Sequence, residues 1–121
     1  MKILKKSRDN ITTAELYKLT LSPEIGKFSD AVGQRVEIAD YIIFDDDKVD
    51  DATGEVSHNV IFSISTPDGE VYASNSATLR KNFEDMAALF AENGETVSAI
   101  NVCEGTAGRS GRKYVYCTYA G

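Results

Sequence analysis

Leu79-Arg80-Lys81-Asn82-Phe83-Glu84-Asp85-Met86-Ala87-Ala88-Leu89-Phe90 decides the fold, because its apolar period differs from that of its surroundings. Leu79, Phe83, Met86 and Phe90 fall at i, i+4, i+7 and i+11, one face of a helix. Ser76 stands where an N-cap is needed, and Asn93-Gly94 where a helix stops. On both sides of this segment the period falls to two, the spacing of strands.

Working back towards the N-terminus, Glu70–Ser74 alternates, with Val71 and Ala73 on one face and Tyr72 on the other. It follows Thr66-Pro67-Asp68-Gly69, a turn in which proline presets φ and glycine takes the positive φ. Val56, His58, Val60, Phe62 and Ile64 alternate before it. Earlier still, Val36, Ile38, Ile42 and Phe44 share one face of a strand of about ten residues, with Asp40 as its polar break. Arg35, Glu37, Ala39, Tyr41 and Ile43 share the other face, which is expected to point outward. Ser29-Asp30-Ala31-Val32-Gly33-Gln34 reads as a turn into this strand. Thr12-Thr13-Ala14-Glu15 fits a capping box and predicts a short helix over residues 13–20, ended by Ser22-Pro23. Residues 1–10 are polar and basic and are expected to be flexible.

Beyond the helix, Val97–Cys103 and Lys113–Tyr119 alternate and predict a closing hairpin, with Ile100, Val102, Val115 and Cys117 inward. Cys103 then faces out, which favours two thiols over a disulfide. The order is helix, β, β, β, α, β, β over one domain spanning residues 1–121. Three meandering strands, a helix and two more strands is the order of an OB-type five-stranded β-barrel. A cystatin-like or other α+β sheet is the alternative architecture.

The 121 residues suit a single core. No apolar run is long enough for a membrane helix, and none follows the basic start as in a signal peptide, so the expected location is cytoplasmic. Net charge is −6, but its distribution is local. Residues 37–55 hold eight acids and one base, and the remainder carries 12 bases and 11 acids.

Motifs for catalysis are missing: no nucleophile elbow, no phosphate loop and no cysteine or histidine spacing that suits zinc. His58 reads as a half-buried strand residue. Asp45-Asp46-Asp47 does not extend into an EF-hand loop. The expectation is a non-enzymatic protein that needs no metal or cofactor. The stretch Glu104–Tyr114 carries three glycines and the cations Arg109, Arg112 and Lys113, followed by Tyr114 and Tyr116. Mobile cations beside exposed rings suit a single strand of nucleic acid, the cations tracking phosphates and the rings stacking on bases. Tyr41 and Tyr72, together with Ile43 and Ile61, are expected on the same outer surface.

Ser29–Tyr41, Ser65–Ala73, the polar step Ser74–Thr78 into the Phe83 helix, and Lys113-Tyr114-Val115-Tyr116-Cys117 together resemble the small single-stranded DNA-binding proteins of tailed bacteriophages. The resemblance spans residues 11–119. It implies an OB-type domain that coats displaced strands during phage DNA replication in the host cytoplasm, with replication proteins as partners. The positions that would carry binding are Tyr41, Tyr72, Arg109, Arg112, Lys113, Tyr114 and Tyr116. Many such proteins recruit partners through an acidic tail, whereas here the acids Asp45, Asp46, Asp47, Asp50 and Asp51 lie in a loop. The alternative function is therefore a protein-interaction module, or a nucleic-acid mimic, acting through residues 45–55. Exposed edge strands leave homodimerisation open.

Overall fold

The computed structural model describes residues 1–121. In chain order it holds β1 (Lys2–Lys6), α1 (Thr13–Thr20), β2 (Gly26–Lys27), a 3-10 turn (Phe28–Ala31), β3 (Arg35–Glu37) and β4 (Asp40–Asp45). There follow β5 (Lys48–Val49), β6 (Val56–Ser57), β7 (Val60–Ser65), β8 (Val71–Ser74), α2 (Ala77–Glu92), β9 (Ala99–Thr106) and β10 (Lys113–Tyr119). The protein is thus mostly β with two helices, and neither helix is long and apolar enough to cross a membrane.

The single long strand expected over residues 35–44 is two strands, and the break between them shapes the molecule. β3 pairs with β9, whereas β4 pairs with β7. The exchange happens between neighbouring residues: the Ile38 N–H donates to Ser98 O at 2.8 Å, and the Ala39 N–H donates to Ser65 O at 2.7 Å. The main core takes Val36 and Ile38 before the break, then Tyr41 and Ile43 after it. Two residues, Ala39 and Asp40, separate the inward sets instead of one. That extra residue reverses the faces of everything downstream, as a β-bulge does. Ile42 and Phe44, expected inward with Val36, therefore lie in a second core on the opposite face.

That second core exists because α1 covers it. Leu19 is fully buried against Ile42, Phe44 and Val71, and Leu16, Ile11 and Ile61 pack at its margin. The Ser63 hydroxyl, wholly buried on the same face, donates to the Leu19 carbonyl at 2.7 Å. The helix starts as a capping box: Thr12 Oγ1 accepts from the Glu15 N–H, and Glu15 accepts from the Thr12 N–H.

The main core is an aromatic column. Phe28 stacks on Phe62 with centroids 5.3 Å apart, Phe62 stacks on Phe83 at 4.6 Å, and Phe83 meets the Tyr41 edge at 4.8 Å. Leu79 and Phe83 enter it from α2 as the helical stripe requires, with Met86 at its margin, while Phe90 instead rests on Tyr119 at 4.8 Å. Phe28, which precedes the Ser29–Gln34 turn and carries no periodic signal, is fully buried.

The strand orders are β1-β4-β7-β8-β2 and β10-β9-β3, with β5-β6 as a separate two-stranded hairpin. No ladder joins β8 to β10, so the expected closed barrel is not formed. The edge of β8 is taken by β2, which runs parallel to it through Gly26↔Tyr72 and Lys27↔Ala73. Residues 2–6, expected to be flexible, form β1 on the outer edge of β4.

An ionic latch holds this N-terminal segment where the chain changes sheets. Asp40 is nearly buried and takes Arg8 Nε at 2.8 Å, Arg8 Nη2 at 3.0 Å and the Ser7 hydroxyl at 2.9 Å. The same guanidinium reaches Glu15 of α1 and the Asn10 carbonyl, at 2.9 Å for the latter. The Arg8 hydrogen bond, outweighing partial burial, holds the Asp40 carboxyl below the usual carboxylate range.

Two predictions follow from these contacts. Phe62→Ala should lower the unfolding free energy by about 3–5 kcal/mol in urea titrations, because it removes the middle of the aromatic column. Because the folded pKa of Asp40 is depressed, its stabilisation is present above the unfolded value and lost as pH falls through the folded one. The Asp40→Asn variant should therefore be less stable than the parent at pH 7, with the gap narrowing below about pH 4 in thermal melts.

Candidate functional site

The open side between β8 and β10 forms a groove of about 720 Å³. One wall is β2 and the start of the 3-10 turn, with Lys27, Phe28 and Ser29. The floor carries Ile61 and Ala73, and Ser74-Asn75-Ser76 closes it where the chain passes into α2. The opposite wall is β9–β10, with Glu104, Lys113, Tyr114 and Val115.

The facing of β10 follows from its neighbours. Val115 packs against the main core and Cys117 is buried in it, so Tyr114 and Tyr116 project outward. Their rings lie 5.9 Å apart, and Tyr114 is 41% exposed. The loop beyond is a tight hairpin, closed by the Ala107 N–H to Arg112 O at 2.8 Å and the Gly111 N–H to Ala107 O at 3.0 Å. Arg109 and Arg112 are exposed on it, and no carboxylate approaches either within ion-pair distance. Lys113 Nζ lies 3.6 Å from Glu104, an exposed pair of little energetic weight. The structure thus brings Arg109, Arg112, Lys113, Tyr114 and Tyr116 together.

It does not bring Tyr41 and Tyr72 to them. Tyr41 turns inward after the Ala39–Asp40 slip, lies against Phe83 and Phe62, and has its phenol pKa raised by burial. Ile43 is buried beside it, and Ile61 packs partly under the second core. Tyr72 also turns inward, tilted against Phe28 at 6.0 Å. Its hydroxyl donates to Glu70 at 2.9 Å, and that bond raises the phenol pKa. Lys27, Ser29 and Asn75 enter the groove unforeseen. Lys27 and Ser29 arrive through β2, a two-residue strand too short to leave a periodic signal.

The acidic segment is the β5–β6 hairpin. Asp45 ends β4, and Asp46 is bonded through its N–H to the Asn59 carbonyl at 2.7 Å. Asp47 pairs with His58 Nδ1 at 2.8 Å, and His58 is three-quarters exposed rather than half-buried. No third acidic, histidine or cysteine side chain converges there as a metal site would require. Asp50 accepts from the Ala52 N–H, and Asp51 lies in the turn that follows. The hairpin's cross-strand pair, Val49 and Val56, is exposed by 62% and 52%.

Both cysteines are free thiols. Cys103 and Cys117 lie on opposite faces of the β9–β10 ladder, and burial pushes the Cys117 thiol up to about 11. Thiolate chemistry at neutral pH is therefore disfavoured for Cys117. A thiol reagent at pH 8 should titrate Cys103 first and reach Cys117 only after denaturant is added.

No family model matches the chain, and no significant match emerges among curated proteins or solved structures.

Proposed function

We propose that this chain is a non-enzymatic single-stranded DNA-binding protein, and that the strand lies across the groove between β8 and β10. The observation that carries the reading is the outward pair Tyr114 and Tyr116 beside a hairpin that bears the unpaired cations Arg109 and Arg112, with Tyr114 and Lys113 lining the open groove. Rings and cations in that arrangement serve the two parts of a nucleotide. Stacking contributes ~1–3 kcal/mol per base and tolerates any base, while Arg109, Arg112 and Lys113 face phosphates. A duplex does not expose the faces of its bases and gains only the weaker electrostatic part.

The strand order supports an OB-type arrangement. Residues 35–45, β7, β8, β9 and β10 occur in the sequence order of its five strands, with α2 between the third and fourth. Residues 35–45 also bridge β7 and β9, as the first strand of such a barrel does. The connections of opposite charge, β4–β7 and β9–β10, correspond to the two loops that flank an OB groove. The resemblance to phage single-stranded DNA-binding proteins extends the reading to strand coating during replication.

Fluorescence anisotropy with a labelled oligo-dT of about 20 nucleotides, at ~50 and ~200 mM salt, tests this. Binding should be micromolar or tighter, and weaker to duplex. Tyr114→Ala combined with Tyr116→Ala should cost about 1–3 kcal/mol per ring. With roughly three phosphate contacts on a single strand, the log–log salt slope should be about −2. A slope near −6, or no binding at low salt, would contradict the reading.

One observation favours a second reading. The exposed Val49–Val56 pair among acids of which only Asp47 meets a basic side chain gives the β5–β6 hairpin an apolar centre with a charged rim, which suits a basic protein partner. Neutralising Asp45, Asp46, Asp47, Asp50 and Asp51 should then abolish that contact while leaving DNA binding intact or improved.

A further inference from the structure

Tyr114 and Gly105 stand directly opposite each other in the β9–β10 ladder. A side chain at residue 105 would force the ring to move: a Cβ there would sit 2.5 Å from Tyr114 Cζ, 2.6 Å from its hydroxyl oxygen and 2.9 Å from Cε2. The outer half of the ring therefore lies down on the bare backbone of Gly105. A ring seated this way is already placed for stacking, and a ring placed in advance costs less conformational entropy to order on binding. The polar step Ser74-Asn75-Ser76 closes the same groove. The Ser74 and Ser76 hydroxyls are engaged locally, accepting from the Ser76 N–H at 3.0 Å and the Leu79 N–H at 3.3 Å. The Asn75 carboxamide is exposed, and none of the side-chain hydrogen bonds in this turn involves it. A carboxamide presents a donor and an acceptor side by side, which is what the edge of a nucleobase offers in return.

We infer that the groove is a subsite for one unstacked nucleobase, held flat on the Tyr114 ring that Gly105 pins down and read along its edge by Asn75. The inference rests on the nucleic-acid reading above and deepens it, since a purely stacking groove would show no base preference. Gly105 acts as a positioning residue for the ring, and Asn75 as the residue that sets preference.

The test uses the full chain and labelled single strands of dT, dA and dC of equal length, with folding followed by circular dichroism. Tyr114→Phe should keep the affinity, because the ring remains. Tyr114→Leu still covers Gly105 with an apolar side chain, so its melting temperature should change little while its affinity falls by roughly tenfold. Gly105→Ala should lose affinity to a similar degree, since the ring must move off the ladder. Asn75→Ala should lose affinity mainly for the preferred base, so the ratio between its best and worst base should fall towards one. If the parent binds single strands and loses affinity on Arg109→Ala/Arg112→Ala, yet Gly105→Ala, Tyr114→Leu and Asn75→Ala leave affinity and base ratios unchanged, the subsite is wrong and the general binding function stands. If the parent binds none of the three strands, both fall together.

Discussion

Everything in this fold depends on a change of partner between two adjacent peptide groups. Ile38 bonds towards β9 and Ala39 towards β7, so one chain path belongs to both sheets. Such a junction must satisfy backbone groups pointing in opposite directions while carrying an extra residue. Asp40 sits at that point, and its nearly buried carboxylate is tolerable because Arg8 and Ser7 neutralise and bond it. The guanidinium extends the same restraint to α1 through Glu15, so the helix that covers the second core is tied to the junction that creates it.

The openness of the groove has an equally local origin. A third strand and a fifth strand that approach each other can close a barrel only if their facing edges are both free. Here the β8 edge is occupied by Gly26 and Lys27, and Phe28 then turns inward to top the aromatic column. The polar backbone of β8 is thereby paired without β10, and the space between them stays accessible to a ligand.

How much of this was legible depended on whether a run kept its phase. The α2 stripe, the inward Val115 and Cys117 and the Thr12 capping box were readable because each is a short pattern with no interruption. Tyr41 was not, because period-two reasoning carries an error through every residue after a bulge. The polar Asp40 was the only visible sign, and it was read as a break within one face. Tyr72 failed for another reason: Val71 and Tyr72 are both apolar enough to face inward, and only the cover supplied by Leu19 of α1 decides between them. In the candidate site, the basic hairpin and its two tyrosines could be named from composition and alternation. The β2 wall and Gly105 could not, since a two-residue strand has no period and a glycine does not announce which ring lies over it.

β1 is the outermost strand of the larger sheet, and it presents Lys2, Lys5 and Lys6 together with an irregular register between Ile3 and Lys5. Charge and irregularity on a rim both discourage a neighbouring molecule from adding a strand of its own. Behind that rim lies β4, whose consecutive Ile42, Ile43 and Phe44 are all buried. The first six residues thus act as a guard against intermolecular sheet growth, keeping the apolar β4 one strand away from the open edge of the sheet.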